Sequence, residues 1–100
     1  MPRLIWSPSA LADVSRLHSF LKPKSEDVAK RAVRAIREGV RLLAAHPEIG
    51  PVMEDMPSEF RTWRIDFGKS GYTALYHCDG DVVVLLAVKR DNEENSQPFL

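Results

Sequence analysis

Cysteine is nearly missing from this sequence: Cys78 stands alone, which excludes an internal disulfide and supplies no ligand spacing for a metal cluster. An excess of charge of either sign is missing too. Lys plus Arg and Asp plus Glu number 14 each, so the chain lacks the global positive field that supplies most non-specific nucleic-acid affinity. Any nucleic-acid contact must be local. The N-terminus holds no apolar run resembling a signal peptide or a membrane span, which makes the cytoplasm the expected compartment. Internal repeats and low-complexity tracts are lacking as well. What remains, 44% apolar and 28% charged residues over 100 positions, reads as one globular domain spanning 1–100, large enough to bury a core and too small for a second.

The first half is helical. "RLIW" at Arg3 to Trp6 is short and β-prone, and Ser7 and Pro8 after it have the chemistry of a helix cap and a first helical turn. Leu11, Val14, Leu17 and Leu21 then recur at spacings of three and four, with Phe20 widening the stripe, and predict a helix over Pro8 to Leu21. "KPKS" breaks that pattern. Ser25, Glu26 and Asp27 place a cap and two anions at the start of a second amphipathic helix, Glu26 to Ala45, carried by Val28, Ala32, Ile36, Val40 and Leu43. A connection this short predicts an antiparallel helical hairpin.

The second half is a sheet. "HPEIGPVMEDMPSEF" reads as a loop, after which three β-prone segments are punctuated by "GKSG" and by "DG", a two-residue hairpin signal requiring positive φ. Alternation puts Trp63, Ile65 and Phe67 on one side and Arg64 and Asp66 on the other; Tyr72, Ala74, Tyr76 and Cys78 are expected to meet the helices, leaving Thr73 and His77 on the open face. Val82 to Val88 is apolar on both faces, as a central strand is, and a partner protein is the natural cover for the open side. The expected fold is α+β: a helical hairpin packed on an antiparallel sheet of about four strands, the first strand added at an edge.

Four stretches in this order, "WSPSALADVSRL" from Trp6, "HPEIGP" from His46, "RTWRIDFGKSGYTALY" from Arg61 and "VVVLLAVKRD" from Val82, together resemble the RelE/ParE superfamily of bacterial toxins. The resemblance covers nearly the whole chain and rests on order and spacing rather than on any one motif. It implies a β-α-α-β-β-β toxin of a type II toxin–antitoxin pair, neutralised by a small antitoxin protein. RelE-like members cut messenger RNA at the ribosome; ParE-like members bind DNA gyrase and trap it on cleaved DNA.

Carried over position by position, the RNA-cutting pattern thins. Its first basic position falls on Arg64, but the next is Asp66, an anion where phosphate should sit. The basic residue after the Tyr of "SGY" is Thr73, and no Tyr follows Arg90. Arg is a poor proton shuttle, which leaves His77 as the acid–base group of a nuclease reading built on Arg64, His77 and Arg90. A lone His on an exposed strand is more often simply a tolerated polar residue, and His18 and His46 read as structural or exposed. Lys89 and Arg90 read either as target contacts or as solvated strand-end charges neutralised by Asp91, Glu93 and Glu94.

The resemblance therefore leans to the ParE-like branch. It implies a gyrase-binding toxin without catalysis of its own, contacting its target through Arg64, Lys89 and Arg90. The alternatives are a ribosome-dependent endoribonuclease acting on mRNA, and a non-toxic antitoxin-binding homologue. An antitoxin helix is expected on the outer faces of the hairpin around Leu17, Phe20 and Leu21. No cofactor is expected. Nor is a metal, since "DNEEN" lacks the ligand order and turn Gly of a calcium loop. Residues 91–100 are expected to form a flexible or antitoxin-ordered tail.

Overall fold

Two serines decide where the helices begin. In the computed structural model of the chain, which describes residues 3–91, the Ser7 hydroxyl oxygen accepts from the Ala10 N–H (3.0 Å) and that of Ser25 from the Val28 N–H (3.2 Å). The elements in chain order are β1 (Arg3–Trp6), α1 (Pro8–Leu21), α2 (Glu26–Ala45), β2 (Phe60–Phe67), β3 (Ser70–Asp79) and β4 (Val82–Arg90). The expected order and helix bounds are those observed. The expectation for the tail from Asn92 onward, "NEEN" and its acidic pair included, lies outside the described residues.

The sheet runs β1-β4-β3-β2, with the helical hairpin on one face. β2, β3 and β4 form the expected antiparallel meander, and β1 joins it at an edge. β1 pairs parallel with β4, Arg3 opposite Val82 through Trp6 opposite Leu85, so the sheet is mixed rather than wholly antiparallel. The chain between them, α1 and α2 followed by β2 and β3, supplies the long connection that a parallel pair needs. Both meander turns hold two residues, Gly68–Lys69 and Gly80–Asp81, with positive φ at the glycine (60° and 58°). The second turn thus lies one residue beyond the "DG" pair.

The core forms where the apolar stripe of α2 meets one face of the sheet. Ala32, Ile36, Val40 and Leu43 pack with Ile65, Tyr72, Ala74, Tyr76, Val83, Leu85 and Val88; each fully buried Ile or Leu contributes about 1.5–3 kcal/mol. On α1 the buried row is Ala10 and Leu17, flanked by Val14 and Leu21. Leu11 sits one residue, about 100° of helix, off that row and is exposed, unlike the expectation for it. No helix among the described residues is long and apolar enough to cross a membrane.

One irregularity in β4 sets the direction of its last side chains. The pairing with β3 slips between Leu75 opposite Ala87 and Tyr76 opposite Leu85, which leaves Leu86 as an extra, bulged residue. Val83 and Leu85 face the helices before it; Val88 does so after it. The bulge breaks the ladder, and α1 with its cap satisfies the freed groups: Asp13 Oδ2 accepts from the Val88 N–H (2.9 Å), and the Ser7 hydroxyl donates to the Leu86 carbonyl (3.3 Å).

Candidate functional site

Strand register assembles a charged row on the open face of the sheet. Arg64 of β2 lies opposite Thr73 of β3, which lies opposite Lys89 of β4. Laterally paired residues point to the same side of a sheet, so Arg64 and Lys89 share this face. Arg64 is not a loose cation. Its guanidinium donates to both carboxylate oxygens of Asp91 (3.0 and 2.6 Å) and to Asp66 Oδ1 (3.3 Å). Asp91, one of the acidic neighbours that could neutralise Lys89 and Arg90, pairs with Arg64.

That ion pair has a pH signature. Hydrogen bonding from Arg64, with its charge, holds the Asp91 carboxyl below the usual carboxylate range, and Asp91 in turn pushes the Arg64 pKa further up. A lowered folded pKa means the stabilisation is present above the usual carboxylate range and is lost as pH falls through the lowered value. Arg64 is about half exposed and Asp91 only partly covered, so solvent screening keeps the effect on global stability small. The site-specific effect is measurable: Arg64→Gln is expected to raise the Asp91 titration midpoint, read by carboxyl carbon NMR, back toward the usual range. An unmoved midpoint would show that the pair does not persist in solution.

His77 shares the open face but not the site. It is four residues along β3 from Thr73, about 13 Å at about 3.3 Å per residue. Asp66 and Asp91 draw the Arg64 side chain toward the opposite end of the strands. The His77 ring meets Phe60 edge-on, centroids 4.8 Å apart. Arg90 is on the other face altogether: it pairs with Tyr72, which faces the helices, and its guanidinium carbon sits 4.2 Å from the centroid of the Phe20 ring on α1. Arg64, His77 and Arg90 therefore do not form one constellation.

On the helical side the expected antitoxin residues divide. Leu17 is only 2% exposed and belongs to the core, because it lies on the α1 row that packs against the sheet. Leu21 is half-buried, and Phe20 is 42% exposed, with Lys24 Nζ 4.5 Å from its ring centroid. In sequence "KPKS" reads only as a helix break, which hides Lys24. Sequence also hides a groove of about 420 Å³ beside α1, lined by Trp6, Leu11, Val14, His18, Val33 and Arg37. Periodicity placed Leu11 in the core, so nothing in the sequence marked this groove, and only its exposure in the fold shows it.

Among the described residues no group of three His, Cys, Asp or Glu side chains is placed to hold a metal. On the open face Arg64 is tied to the carboxylates of Asp66 and Asp91.

A helical hairpin on one face of a four-stranded sheet is a fold shared with chains in solved structures of bacterial toxin–antitoxin systems. The chain is similar to one from the chromosomal ParDE toxin–antitoxin system of Pseudomonas aeruginosa (TM-score 0.74, 22% identity, covering 90% of this chain and 96% of that one). It is also similar to a chain of the RelBE2 toxin–antitoxin complex of Mycobacterium tuberculosis (TM-score 0.63, 21% identity, 90% and 99% covered). No curated protein matches the sequence significantly. The family model for the ParE toxin of the type II toxin–antitoxin system parDE matches residues 4–94, and the chain belongs to that family.

Proposed function

We propose that this ParE-family toxin acts in the cytoplasm by binding DNA gyrase, without catalysis of its own, and is silenced by a cognate antitoxin. The observation that carries the reading is the commitment of Arg64 to Asp66 and Asp91, away from His77 and on the opposite face from Arg90. Cutting RNA through a 2′-hydroxyl requires a proton acceptor and cations converging on one phosphate. No such convergence supports a nuclease. The open face fits a protein target better: Arg64 and Lys89 at one end, then Phe60, Val84 and Ile5, with His77 among them, as a more apolar continuation across the strands.

The test is a supercoiling assay with purified gyrase and relaxed plasmid. The toxin is expected to inhibit supercoiling or accumulate cleaved DNA, and Lys89→Glu to weaken inhibition by roughly tenfold, as loss and reversal of one interfacial charge does. Folded toxin that leaves gyrase untouched, or that cuts transcripts in a translating extract, overturns the reading.

A further inference from the structure

Arg90 carries an unmet demand. Its Nε is shielded from solvent and has no hydrogen-bond partner among the described residues. Buried donors in folded proteins are nearly always paired, so one that is not asks what it is waiting for. The guanidinium lies over Phe20 at 4.2 Å and the Lys24 ammonium at 4.5 Å from the same ring. Two cations thus converge on one aromatic ring. Asp91, the residue after Arg90, is engaged with Arg64, Asp13 with the Val88 N–H and Arg16, and Asp27, three residues beyond Lys24, with Arg31.

We propose that Phe20, Lys24 and Arg90 form a carboxylate-recognition site for an acidic, apolar-flanked segment of the antitoxin. Charge complementarity selects the occupant: the two cations call for an anion, and the exposed ring of Phe20 with Leu21 beside it calls for an apolar neighbour. A planar guanidinium stacked on a ring keeps its in-plane N–H groups for a carboxylate. The neutral chain has no extended positive field to favour a polyanion such as nucleic acid. Arg90 also opposes the upward shift that burial imposes on the Tyr72 hydroxyl, so its charge is felt at that phenol as well. The site lies on the helical side, across the sheet from Arg64 and Lys89, so antitoxin bound there leaves the open face uncovered unless it also wraps the edge.

The proposal rests on the antitoxin reading but not on gyrase, and its test uses neither. The 15N-labelled full chain is titrated with the peptide acetyl-LEELLE-amide, with its glutamine counterpart acetyl-LQQLLQ-amide, and with an eight-residue oligodeoxythymidylate. The acidic peptide is expected to shift the Arg90 Nε–H and Phe20 ring resonances saturably. The glutamine peptide is expected to bind roughly tenfold more weakly, as loss of a charge-assisted hydrogen bond predicts. Lys24→Gln, an exposed change that leaves the fold intact, should weaken the acidic peptide while Lys22→Gln, two residues away, should not. Equal binding of both peptides, no shift with the acidic one, or tighter binding of the oligonucleotide at the same resonances each overturns the assignment. An inert result in the supercoiling assay leaves it standing.

Discussion

Gly50→Ala is expected to destabilise the protein by about 3 kcal/mol, at the upper end of what overpacking a tight site costs. Gly50 is buried where the loop after α2 crosses β2. A methyl group there would lie far inside contact distance of the Thr62 carbonyl oxygen, which is fixed in the sheet, and 2.8 Å from the Tyr76 hydroxyl. It would also disrupt a closed set of hydrogen bonds. The Gly50 N–H donates to the Tyr76 hydroxyl (3.0 Å), which donates to the Pro47 carbonyl (2.8 Å); Arg61 donates to the Gly50 carbonyl (2.7 Å). The fully buried Tyr76 thus pins the loop to the middle of the sheet. For a chain of this size the loss corresponds to a fall in Tm of more than about 10 °C. A fall of only a degree or two would mean that the loop yields and that Tyr76 does not anchor it.

Asp13→Ala is expected to cost about 2 kcal/mol, because it strands the Val88 N–H in a partly buried place with no acceptor. The consequence reaches the antitoxin site. Asp13 holds the β4 bulge, and the bulge puts Arg90 rather than Lys89 on the helical side. Asp13→Ala is therefore expected to move the Arg90 Nε–H and Phe20 ring resonances together with the drop in stability. Asp13→Asn keeps an acceptor and should retain more than half of the stability and the native resonances. Equal losses in the two variants would assign the role to the carboxylate charge, which also meets Arg16 (3.6 Å), and not to the hydrogen bond.

Much of the architecture was written in local chemistry. Ser7 with Pro8 and Ser25 with Glu26 and Asp27 begin helices because a cap satisfies backbone N–H groups within three residues, an interaction that needs no distant partner. The stripe of α2 and the alternation of β2 and β3 survived folding because each of these elements turns one face to the core, and period says which residues fill it, although Leu75 on the open side of β3 is buried too. The α1 stripe was legible only in part: Leu17 and Val14 lie as periodicity requires, but Leu11 faces out and the buried small residue is Ala10, a choice made by the sheet surface that α1 packs against.

The candidate site was less legible than the fold. Arg64 was visible as the basic residue of its strand, and Asp66 as an anion beside it, yet the bidentate partner Asp91 is 27 residues away in sequence. Lys24 joined the site only because α1 ends beside the last residue of β4, bringing Phe20 under both cations. Leu17 left the proposed antitoxin surface for the opposite reason, since a helical row seen in sequence does not say whether the sheet or a partner covers it.

By itself the sequence determined the element order, the helix bounds, the meander and the family resemblance, since caps, turn glycines and apolar periods act over a few residues. Only the tertiary structure decided how β1 pairs and which way the strand-end cations point. In "VVVLLAVKRD" every residue from Val82 to Val88 is apolar, so no alternation marks a face and no polar residue betrays the bulge at Leu86. Ser7 and Asp13, more than seventy residues upstream, hold that extra residue in place. One slipped residue reverses every later side chain in a period of two, and so Lys89 joins Arg64 while Arg90 joins Phe20.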